Sequence, residues 1–528
     1  MQPKSKILKL PCPYCGKVAE EKSRLALGEL TFVTLECGHT ITEDAIKGNG
    51  YEITSADGRQ LKPFQQEGIQ FVEQASGRAL IADEMGLGKT VQALGFLKLH
   101  PELTPAIIIV KSSLKIQWFG EVLRWCGNDF LPQIIGDSKS IPVPGFKTYI
   151  ITYDLLRRLK PEVKEALKAK TVILDECQQI KNHLSSRAKE VQMLCKDVEN
   201  ILCLSGTPIK NHSGEYFTVL NLLKPRRFPY YADYLRDYCD AYNNGWATKV
   251  GGLRNVTNFH EDTKDFIIRR KREEVKEQIG LNSTEADRRF RHVELEKKYE
   301  KAYKEAQSEF EEAYYNQDKE KGGFEIAIAK MQKLRHITGF NKIEATAEFI
   351  EEFLMDTDPE RKLTIFTHHI DVNTMLIAAI KRVQSANGLP EIVLEINAQQ
   401  NSIQRNEVVE RFKNDVQARI CVASTLAAGE GLNMQFCADC IIMERQWNPA
   451  NEEQVEGRFI RIGQMNDVIA TYMIASGTID EFFTELVEQK RAIVAATMDG
   501  KEIPWDAKSL MKDLMDVLAV KGSKRWKL

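Results

Sequence analysis

The sequence predicts an α/β protein in which two similar units with parallel sheets flank a helical insertion, after a small cysteine-bearing N-terminal module. Short apolar, β-branched runs alternate with amphipathic segments in residues 58–225 and again in residues 343–495. This alternation indicates parallel strands joined by crossover helices, with both faces of each sheet covered. Residues 226–342 are instead aromatic and then heavily charged, which indicates a separate helical region.

The composition is that of a soluble globular protein too long for a single core. The chain has 528 residues, of which 43% are hydrophobic and 28% charged, and its net charge is −2. Any polyanion would therefore be bound by local patches. No apolar run approaches the ~20 residues that cross a membrane, and the N-terminus lacks an apolar signal segment. The 11 cysteines do not form a dense disulfide framework. We therefore expect a protein of the cytoplasm and nucleoid, or of the nucleus in a eukaryote, that is not secreted.

The first unit contains five apolar segments that are typical of buried parallel strands. In chain order they are RALIAD, PAIIIVKSS, FKTYIITYD, TVILDE and NILCLSG. Two amphipathic segments between them, LKIQWFGEVLRWC and LLRRLKPEVKEALKAK, predict helices. Ligands of such open sheets bind at the carboxyl ends of the strands, so functional residues are expected there.

The insertion, the second unit and the C-terminal tail are interpreted from the same kinds of sequence pattern. Within the insertion, VELEKKYEKAYKEAQSEFEEAYYNQDKEK predicts a long solvated helix. Strands of the second unit are predicted at KLTIFTH, EIVLEIN, ARICVAST, CADCIIMER and VIATYMIAS. The tail, residues 496–528, ends in Lys524, Arg525, Trp526 and Lys527. These residues could bind phosphates and stack on bases, or could form a basic terminus without that role.

A phosphate-binding loop is predicted at DEMGLGKT, between a strand and a helix. Gly86 and Gly88 allow the backbone to approach anionic oxygens, Lys89 would meet the β- and γ-phosphates, and the Thr90 hydroxyl would ligate Mg²⁺. Asp83 replaces the first glycine of the usual pattern. The other interpretation is a glycine-rich turn without a ligand. The predicted nucleotide-binding residues are Asp83, Glu84, Met85, Gly86, Leu87, Gly88, Lys89 and Thr90.

A second half of the site is predicted where TVILDE ends. Asp175 would hold Mg²⁺ through its water shell, and Glu176 would orient and deprotonate an attacking water, as phosphoryl transfer to water requires. Taken alone, such a pair of carboxylates could equally be a solvated turn or a helix cap. Together with the loop, it predicts ATP hydrolysis.

These motifs resemble those of the Swi/Snf-type ATPases of helicase superfamily two, DNA translocases that include chromatin remodellers and annealing helicases. The resemblance runs from about residue 60 to residue 490. DEMGLGKT is the form that the loop takes in that family. LKPFQQEGIQFV resembles its opening glutamine motif, which implies that Gln65 reads adenine. LSGTPIKN resembles its motif III, in which Ser205 and Thr207 would couple nucleotide state to the position of the lobes.

The second unit carries a longer match, ASTLAAGEGLNMQFCADCIIMERQWNPANEEQVEGRFIRIGQ, which resembles motifs V and VI. The resemblance implies that Arg458 and Arg461, three residues apart, are arginine fingers for the γ-phosphate, with Gln454 and Gly429 nearby. A surface salt-bridge face is the alternative for two such arginines. The implied architecture is two RecA-like lobes that bind ATP and Mg²⁺ between them.

One position departs from the family pattern. The box D-E-x-H reads Asp175-Glu176-Cys177-Gln178 here. Gln178 can still donate and accept hydrogen bonds, so we expect ATP hydrolysis to be retained. The following Gln179-Ile180-Lys181-Asn182 resembles the annealing-helicase branch of the family.

The resemblance implies double-stranded DNA as the partner, bound through its phosphates without sequence readout. By motif position, the candidate contacts are Lys111, Ser113, Thr425 and Trp447, each of which could instead have a packing or capping role. FIIRRKREEVKEQIG resembles the family's basic segment after the first lobe, in which Arg269 and Arg270 would stabilise an active arrangement of the lobes. A monomer is expected. The predicted function is an ATP-dependent DNA translocase that remodels DNA or anneals strands, and the alternative is a strand-separating helicase on DNA or RNA.

The N-terminal 50 residues predict a structural zinc site. Cys12 and Cys15 form one pair and Cys37 and His39 another, each beside a glycine. Four soft ligands in two pairs suit tetrahedral Zn²⁺, and a region this short would need the metal to fold. Two free thiols are the alternative. Cys437 and Cys440 share the C-x-x-C spacing, but they enter a predicted core strand and are interpreted as buried cysteines that bind no metal.

Overall fold

The computed structural model describes most of the chain. The described residues are 9–11, 18–27, 30–35, 40–42, 53–206, 213–243, 248–316, 323–356, 358–428, 432–446 and 449–498. The predicted zinc ligands fall outside these ranges, as do Thr207, Gly429, Trp447 and the C-terminal tail from residue 499. No helix within the described ranges is both long enough and apolar enough to cross a membrane.

The N-terminal region forms a four-stranded antiparallel sheet in the order β1-β2-β3-β4. Its strands are β1 (Lys9–Pro11), β2 (Val18–Leu27), β3 (Leu30–Leu35) and β4 (Thr40–Thr42). Because each strand runs opposite to its neighbour, the end of β1, the start of β2, the end of β3 and the start of β4 lie at the same end of the sheet.

The first lobe alternates strands and helices as predicted. Its elements are α1 (Pro63–Gln74), β5 (Arg78–Ile81), α2 (Lys89–Leu99), β6 (Ala106–Val110), α3 (Lys115–Cys126), β7 (Pro132–Ile134), β8 (Thr148–Thr152), α4 (Tyr153–Leu156), α5 (Pro161–Ala166), β9 (Thr171–Asp175), α6 (Ser186–Leu194) and β10 (Asn200–Leu204). All five predicted strands are confirmed. Every residue of β6, β8 and β10 is buried, which explains their continuous apolar sequences.

One predicted helix of this lobe is wrong. LLRRLKPEVKEALKAK forms two short helices, α4 and α5, and not one continuous helix. Pro161 disfavours helical backbone at the residue before it, and Lys160 is extended with ψ 151°. Proline instead occupies the first position of α5, where its missing N–H costs nothing.

The sequence predicted a helical insertion, but the structure shows that this region also contains strands. The first lobe ends with α7 (Phe217–Leu223). The elements of the insertion are α8 (Tyr231–Tyr238), β11 (Cys239–Asn243), β12 (Thr248–Leu253), α9 (Val256–Glu261), β13 (Ile267–Ile268), α10 (Lys276–Ile279), β14 (Asp287–Val293), α11 (Lys297–Tyr315) and α12 (Gly323–Asn341). Strand β13 returns to the first lobe and completes a parallel seven-stranded sheet in the order β13-β5-β10-β9-β6-β8-β7.

The long charged helix α11 is amphipathic and not solvated on all sides. Its face formed by Tyr303, Ala306, Phe310 and Tyr314 is buried in a cluster with α12 and the C-terminal helix of the described chain. These positions recur at helical spacing, so they form one stripe.

The second lobe is a parallel six-stranded sheet in the order β14-β19-β18-β15-β17-β16. Its further elements are α13 (Ile343–Asp356), β15 (Leu363–Thr367), α14 (Ile370–Ala386), β16 (Val393–Ile396), α15 (Ser402–Asn414), β17 (Ile420–Ser424), α16 (Thr425–Ala428), β18 (Asp439–Ile442), α17 (Pro449–Glu456), β19 (Ile469–Ala475) and α18 (Ile479–Met498). The five predicted strands are confirmed. Because β14 pairs along its length with β19, the sheet of this lobe includes one strand from the segment predicted as the insertion.

Candidate active site

A cavity of about 500 Å³ lies between the two lobes, and both lobes contribute charged side chains to it. The first lobe contributes Gln65, Lys89, Thr90, Asp175 and Glu176, and the second contributes Gln454, Arg458 and Arg461. Met85, Gly86 and Gly88 of the predicted phosphate loop also line it. The structure therefore brings together residues as distant in the sequence as Gln65 and Arg461, which are 396 positions apart.

The predicted phosphate loop connects β5 to α2, as the sequence indicated. Gly86 and Gly88 have φ of +89° and +78°, which favours glycine at both positions. The half-buried Lys89 directs its Nζ to the carbonyl oxygens of Asp83 and Glu84, at 2.7 and 3.1 Å. Burial lowers the pKa of the Lys89 ammonium, so an anion in the cavity would be favoured beside it.

Asp83 lies behind this loop and does not line the cavity. Its fully buried carboxylate accepts hydrogen bonds from Arg270 N, Nε and Nη2 at 3.0, 3.1 and 2.7 Å, and from Gln92 Nε2 at 2.9 Å. Arg270 also donates to the carbonyl of Phe64 and lies over its ring. The carboxylate therefore fixes the loop to the segment after β13, and we assign Asp83 to holding the loop instead of contacting the nucleotide.

Two other residues that were predicted to bind the nucleotide, Leu87 and Glu84, do not line the cavity. The side chain of Leu87 is fully buried in the apolar cluster that includes Phe64 and residues of the second lobe. Glu84 accepts hydrogen bonds from the backbone N and the Nε of Arg272 at 2.9 and 3.3 Å. Both residues anchor the loop.

The carboxylates of Asp175 and Glu176 lie at the carboxyl end of β9, beside the loop. Asp175 accepts hydrogen bonds from Trp118 Nε1 at 2.7 Å and from the Glu176 backbone N at 3.0 Å. Burial and the adjacent Glu176 carboxylate raise the pKa of Asp175 to about 6. Glu176 has φ +51°, a left-handed conformation that costs energy in a residue with a side chain and is frequent at functional sites.

Gln178 stands where the family pattern has histidine, and its side-chain amide lies between Glu176 and Ser205. Its Nε2 donates to Glu176 Oε2, and its Oε1 accepts from the Ser205 hydroxyl at 2.7 Å. Ser205 follows β10 and begins the predicted motif III. The amide thus makes the two hydrogen bonds that connect Glu176 to that motif, which is consistent with the expectation that Gln178 can replace histidine.

Arg458 and Arg461 follow α17 and reach the cavity from the second lobe. Arg461 Nε donates to the Gly457 carbonyl at 2.8 Å, and its Nη1 donates to Asn433. Burial, with Arg458 nearby, holds the pKa of Arg461 well below its ordinary value, and Glu176 opposes this shift. A group of positive charges that repel one another in a buried place is a strong anion site.

The segment from Gly457 to Arg461, here called the finger segment, directly contacts the phosphate loop. A Cβ added to Gly86 would lie 2.7 Å from the carbonyl oxygen of Ile460, and one added to Gly457 would lie 3.2 Å from Met85 Cβ. The alternative of a surface salt-bridge face for Arg458 and Arg461 does not fit these contacts. The cleft between the lobes is closed at this point.

A buried ion-pair network holds the helix that precedes the fingers. Glu452 of α17 is fully buried between Arg445 and Arg491, at 2.7 and 2.9 Å, and Glu456 pairs with Arg288 of β14 at 2.6 Å. Removing one member of such a network leaves an uncompensated buried charge, so the network fixes the orientation of α17.

The predicted adenine reader and three predicted DNA contacts make contacts that the sequence did not predict. Gln65 lines the cavity, but its amide accepts from Lys62 N at 3.0 Å and donates to the Leu87 carbonyl at 3.1 Å. Lys111, predicted to contact DNA, lines the same cavity, and Ser113 lies half-buried on the short 3-10 helix Ser112–Leu114. Thr425 is buried and donates its hydroxyl to the Thr367 carbonyl at 3.0 Å, so packing explains it better than a DNA contact.

The oxygen donors of the cavity suit Mg²⁺. Thr90 and Asp175 offer a hydroxyl and a carboxylate, the hard ligands that Mg²⁺ prefers. Cys437 and Cys440 are buried, as predicted. Burial raises the pKa of the Cys437 thiol to about 12, which keeps it protonated.

The sequence reasoning missed one wall of the cavity. Trp118, Glu121 and Trp125 project from α3 into its lining, together with Arg59 and Lys62 from the segment before α1. The spacing i, i+3, i+7 of the three α3 residues indicates one helix face and was the signal available.

Comparisons with known proteins agree with the two-lobe arrangement. A family model for the SNF2-related domain matches residues 64–347, and one for the helicase conserved C-terminal domain matches residues 341–463. The Mus musculus protein named DNA annealing helicase and endonuclease ZRANB3 is 27% identical over 454 residues, which are 84% of this chain and 41% of that protein. The SWI/SNF-related matrix-associated actin-dependent regulator of chromatin subfamily A-like protein 1 of Xenopus tropicalis is 27% identical over 449 residues, 83% of this chain and 45% of that protein.

The chain thus spans less than half the length of these two relatives. A solved structure titled Sulfolobus solfataricus SWI2/SNF2 ATPase core in complex with dsDNA is 24% identical, with a TM-score of 0.40, and covers 84% of this chain and 93% of that chain.

Proposed function

The chain belongs to the SNF2-related family, and we propose that it is an ATP-driven motor that translocates along double-stranded DNA. The observation that supports this most strongly is the cavity between the lobes. Lys89, Asp175 and Glu176 line it from one side, and Arg458 and Arg461 line it from the other. A pocket divided in this way is complete only when the lobes are together, so hydrolysis would be coupled to their movement.

Each side chain has a role in the proposed reaction. Lys89 and the loop amides bind the phosphates, while Thr90 and Asp175 hold Mg²⁺, which neutralises phosphate charge when bound. Glu176, oriented by Gln178, accepts a proton from the attacking water. Arg461 and Arg458 stabilise the negative charge that develops on the transferred phosphoryl group.

Coupling to DNA would pass through the contact between the loop and the finger segment. Gly86 packs against Ile460, so a change in the loop on hydrolysis would act directly on the second lobe. A duplex bound to both lobes through its phosphates would then be moved in steps. We propose Ser113 and Trp447 as DNA contacts, whereas Lys111, which lines the cavity, would face the nucleotide. Because one chain supplies both sides of the pocket, we propose that it acts as a monomer, in the compartment that holds DNA.

The test is the ATPase rate with duplex DNA, single-stranded DNA and RNA. Duplex DNA is expected to give the greatest stimulation, to lose its effect as salt rises, and to support triplex displacement. Lys89→Ala is expected to abolish turnover. Stimulation by RNA alone would contradict the DNA track and favour the strand-separating alternative. Activity in a strand-annealing assay would support the narrower proposal that the chain anneals strands.

We also propose that Cys12, Cys15, Cys37 and His39 bind a structural Zn²⁺. The topology of the N-terminal sheet supports this, because Pro11, Val18, Leu35 and Thr40, which flank the two ligand pairs, lie at one end of it. Two short connections at the same end of a small sheet are suited to a four-ligand site.

Metal analysis of the purified protein is expected to find about one Zn²⁺ per chain. Cys12→Ser together with Cys37→Ser is expected to remove it, because a structural site needs all four ligands. Cys437→Ala is the matched control, since Cys437 has the same C-x-x-C spacing but is buried. Zinc-free protein with an ordered N-terminal sheet would contradict the proposal.

A further inference from the structure

The residue Trp118 connects α3 to Asp175, the carboxylate proposed to hold Mg²⁺. Its side chain is only 2% exposed, and its indole N–H donates to Asp175 Oδ2 at 2.7 Å. This distance is short for a neutral donor and typical of a bond to an ionised acceptor. The bond spans 57 positions in the sequence.

Two donors hold the two oxygens of Asp175 separately. Trp118 binds Oδ2, and the backbone N of Glu176 binds Oδ1 at 3.0 Å. An ionised carboxylate can accept about four hydrogen bonds or ligands, so each oxygen retains capacity for the metal and its water shell. The torsion that rotates a carboxylate has only weak intrinsic preferences, so these two bonds set its plane.

Indole has chemical properties that suit this task. It donates one hydrogen bond, accepts none and carries no charge. A lysine or arginine here would neutralise Asp175 and compete with a cation, whereas an uncharged donor orients the carboxylate and leaves its charge available. The rest of the ring packs in the core of the first lobe, which fixes the direction of the N–H.

We propose that Trp118 is a positioning residue that orients Asp175 for Mg²⁺, an inference that rests on the proposed ATPase function. Outer hydrogen-bond partners of metal ligands commonly contribute 10–100-fold to metal affinity or activity. Loss of the indole N–H therefore weakens the Mg²⁺-dependent part of nucleotide binding and leaves the Mg²⁺-independent part unchanged.

The experiment compares wild-type protein with Trp118→Phe and Trp118→Leu, which both lack the indole donor but differ in shape. A fluorescent N-methylanthraniloyl ADP is titrated in Mg²⁺ and in EDTA. In EDTA, both variants are expected to bind the nucleotide with the same affinity as wild-type protein. In Mg²⁺, they are expected to bind it about tenfold more weakly than wild-type protein does. The Mg²⁺ concentration for half-maximal ATPase is expected to rise about tenfold, and saturating Mg²⁺ restores much of kcat. A purely structural defect would lower kcat at every Mg²⁺ concentration.

The matched control is Trp125→Phe. Trp125 lies on the same face of α3 and donates its indole N–H to Glu121 Oε2 at 3.0 Å, so the chemical change is the same but Asp175 is untouched. Its ratio of affinities with and without Mg²⁺ is expected to match that of wild-type. In an Asp175→Asn background, Trp118→Phe is expected to change this ratio no further.

The outcomes separate the two proposals. If wild-type protein shows Mg²⁺-dependent nucleotide binding and the Trp118 variants retain its ratio, the positioning role is wrong. The same holds if Trp125→Phe lowers the ratio of affinities with and without Mg²⁺ as much as Trp118→Phe does. If wild-type protein shows no Mg²⁺-dependent ATP hydrolysis, with or without duplex DNA, the proposed ATPase function is wrong.

Discussion

Replacing Arg461 with alanine is expected to lower kcat for ATP hydrolysis about 10³-fold or more, which corresponds to about 4 kcal/mol of transition-state stabilisation. The half-buried Arg461 is held by Gly457 and Asn433 beside Arg458, facing Glu176 across the cavity. Its charge matters most when negative charge develops on the phosphoryl group, so ATP binding should weaken much less than turnover. Steady-state kinetics and nucleotide titration on the same preparation measure the two effects.

Arg382→Ala provides the control. Arg382 is exposed on α14 and pairs with Glu344. It lies 12 residues after the start of that helix, about 18 Å along it and away from the carboxyl ends of the strands. Its loss should leave kcat within about twofold of wild-type, because an exposed ion pair contributes little. An Arg461→Ala variant with wild-type kcat would show that the finger segment does not reach the reacting phosphate.

Asp83→Asn is expected to destabilise the first lobe strongly, by about 3–5 kcal/mol, because the buried Arg270 guanidinium then keeps only the exposed Glu67 carboxylate, at 3.8 Å, as a countercharge. Four donors converge on this carboxylate, and three of them belong to Arg270. For a lobe of this size, the corresponding fall in Tm is roughly 10 °C. Thermal unfolding followed by circular dichroism measures it.

Asp265→Asn is the matched control, because Asp265 pairs with Arg227 at 2.6 Å in an exposed place. Its loss should cost less than about 1 kcal/mol. The double variant Asp83→Leu with Arg270→Met removes both buried charges and should recover much of the lost Tm. A stable Asp83→Asn protein with a raised KM for ATP would instead assign Asp83 to nucleotide contact.

The sheets were predictable because their strands are buried on both faces. All ten apolar segments predicted as strands form strands. A continuous apolar run such as AIIIV in β6 is typical of a strand covered on both faces of a parallel sheet. Strand β14, DRRFRHV, was missed because it lies at a sheet edge and consists mostly of charged residues, with no residue fully buried. Its Arg288 is stabilised by Glu456, 168 positions later, a partner that no local pattern reveals.

The site was predictable where a motif carries its own geometry. The loop glycines with positive φ are a local property, and both they and the arginines of the motif line the cavity. The helical spacing expected for Arg458 and Arg461 was wrong, because both lie in the turns that follow α17. The role of Asp83 depends on Arg270, 187 positions away, and that of Trp118 on a contact between α3 and β9. Such roles are set by packing, so a motif could identify the residues without showing what they contact.

The central claim is that one lobe supplies the phosphate-binding lysine and the carboxylates while the other supplies the arginines. A structure of the protein with duplex DNA and ADP–aluminium fluoride, which imitates the phosphoryl group in transfer, tests it most directly. The account predicts that the Arg461 guanidinium lies within about 3 Å of a fluoride, with Glu176 beside the attacking water. Arg458 and Arg461 both directed away from the nucleotide in that complex would contradict it.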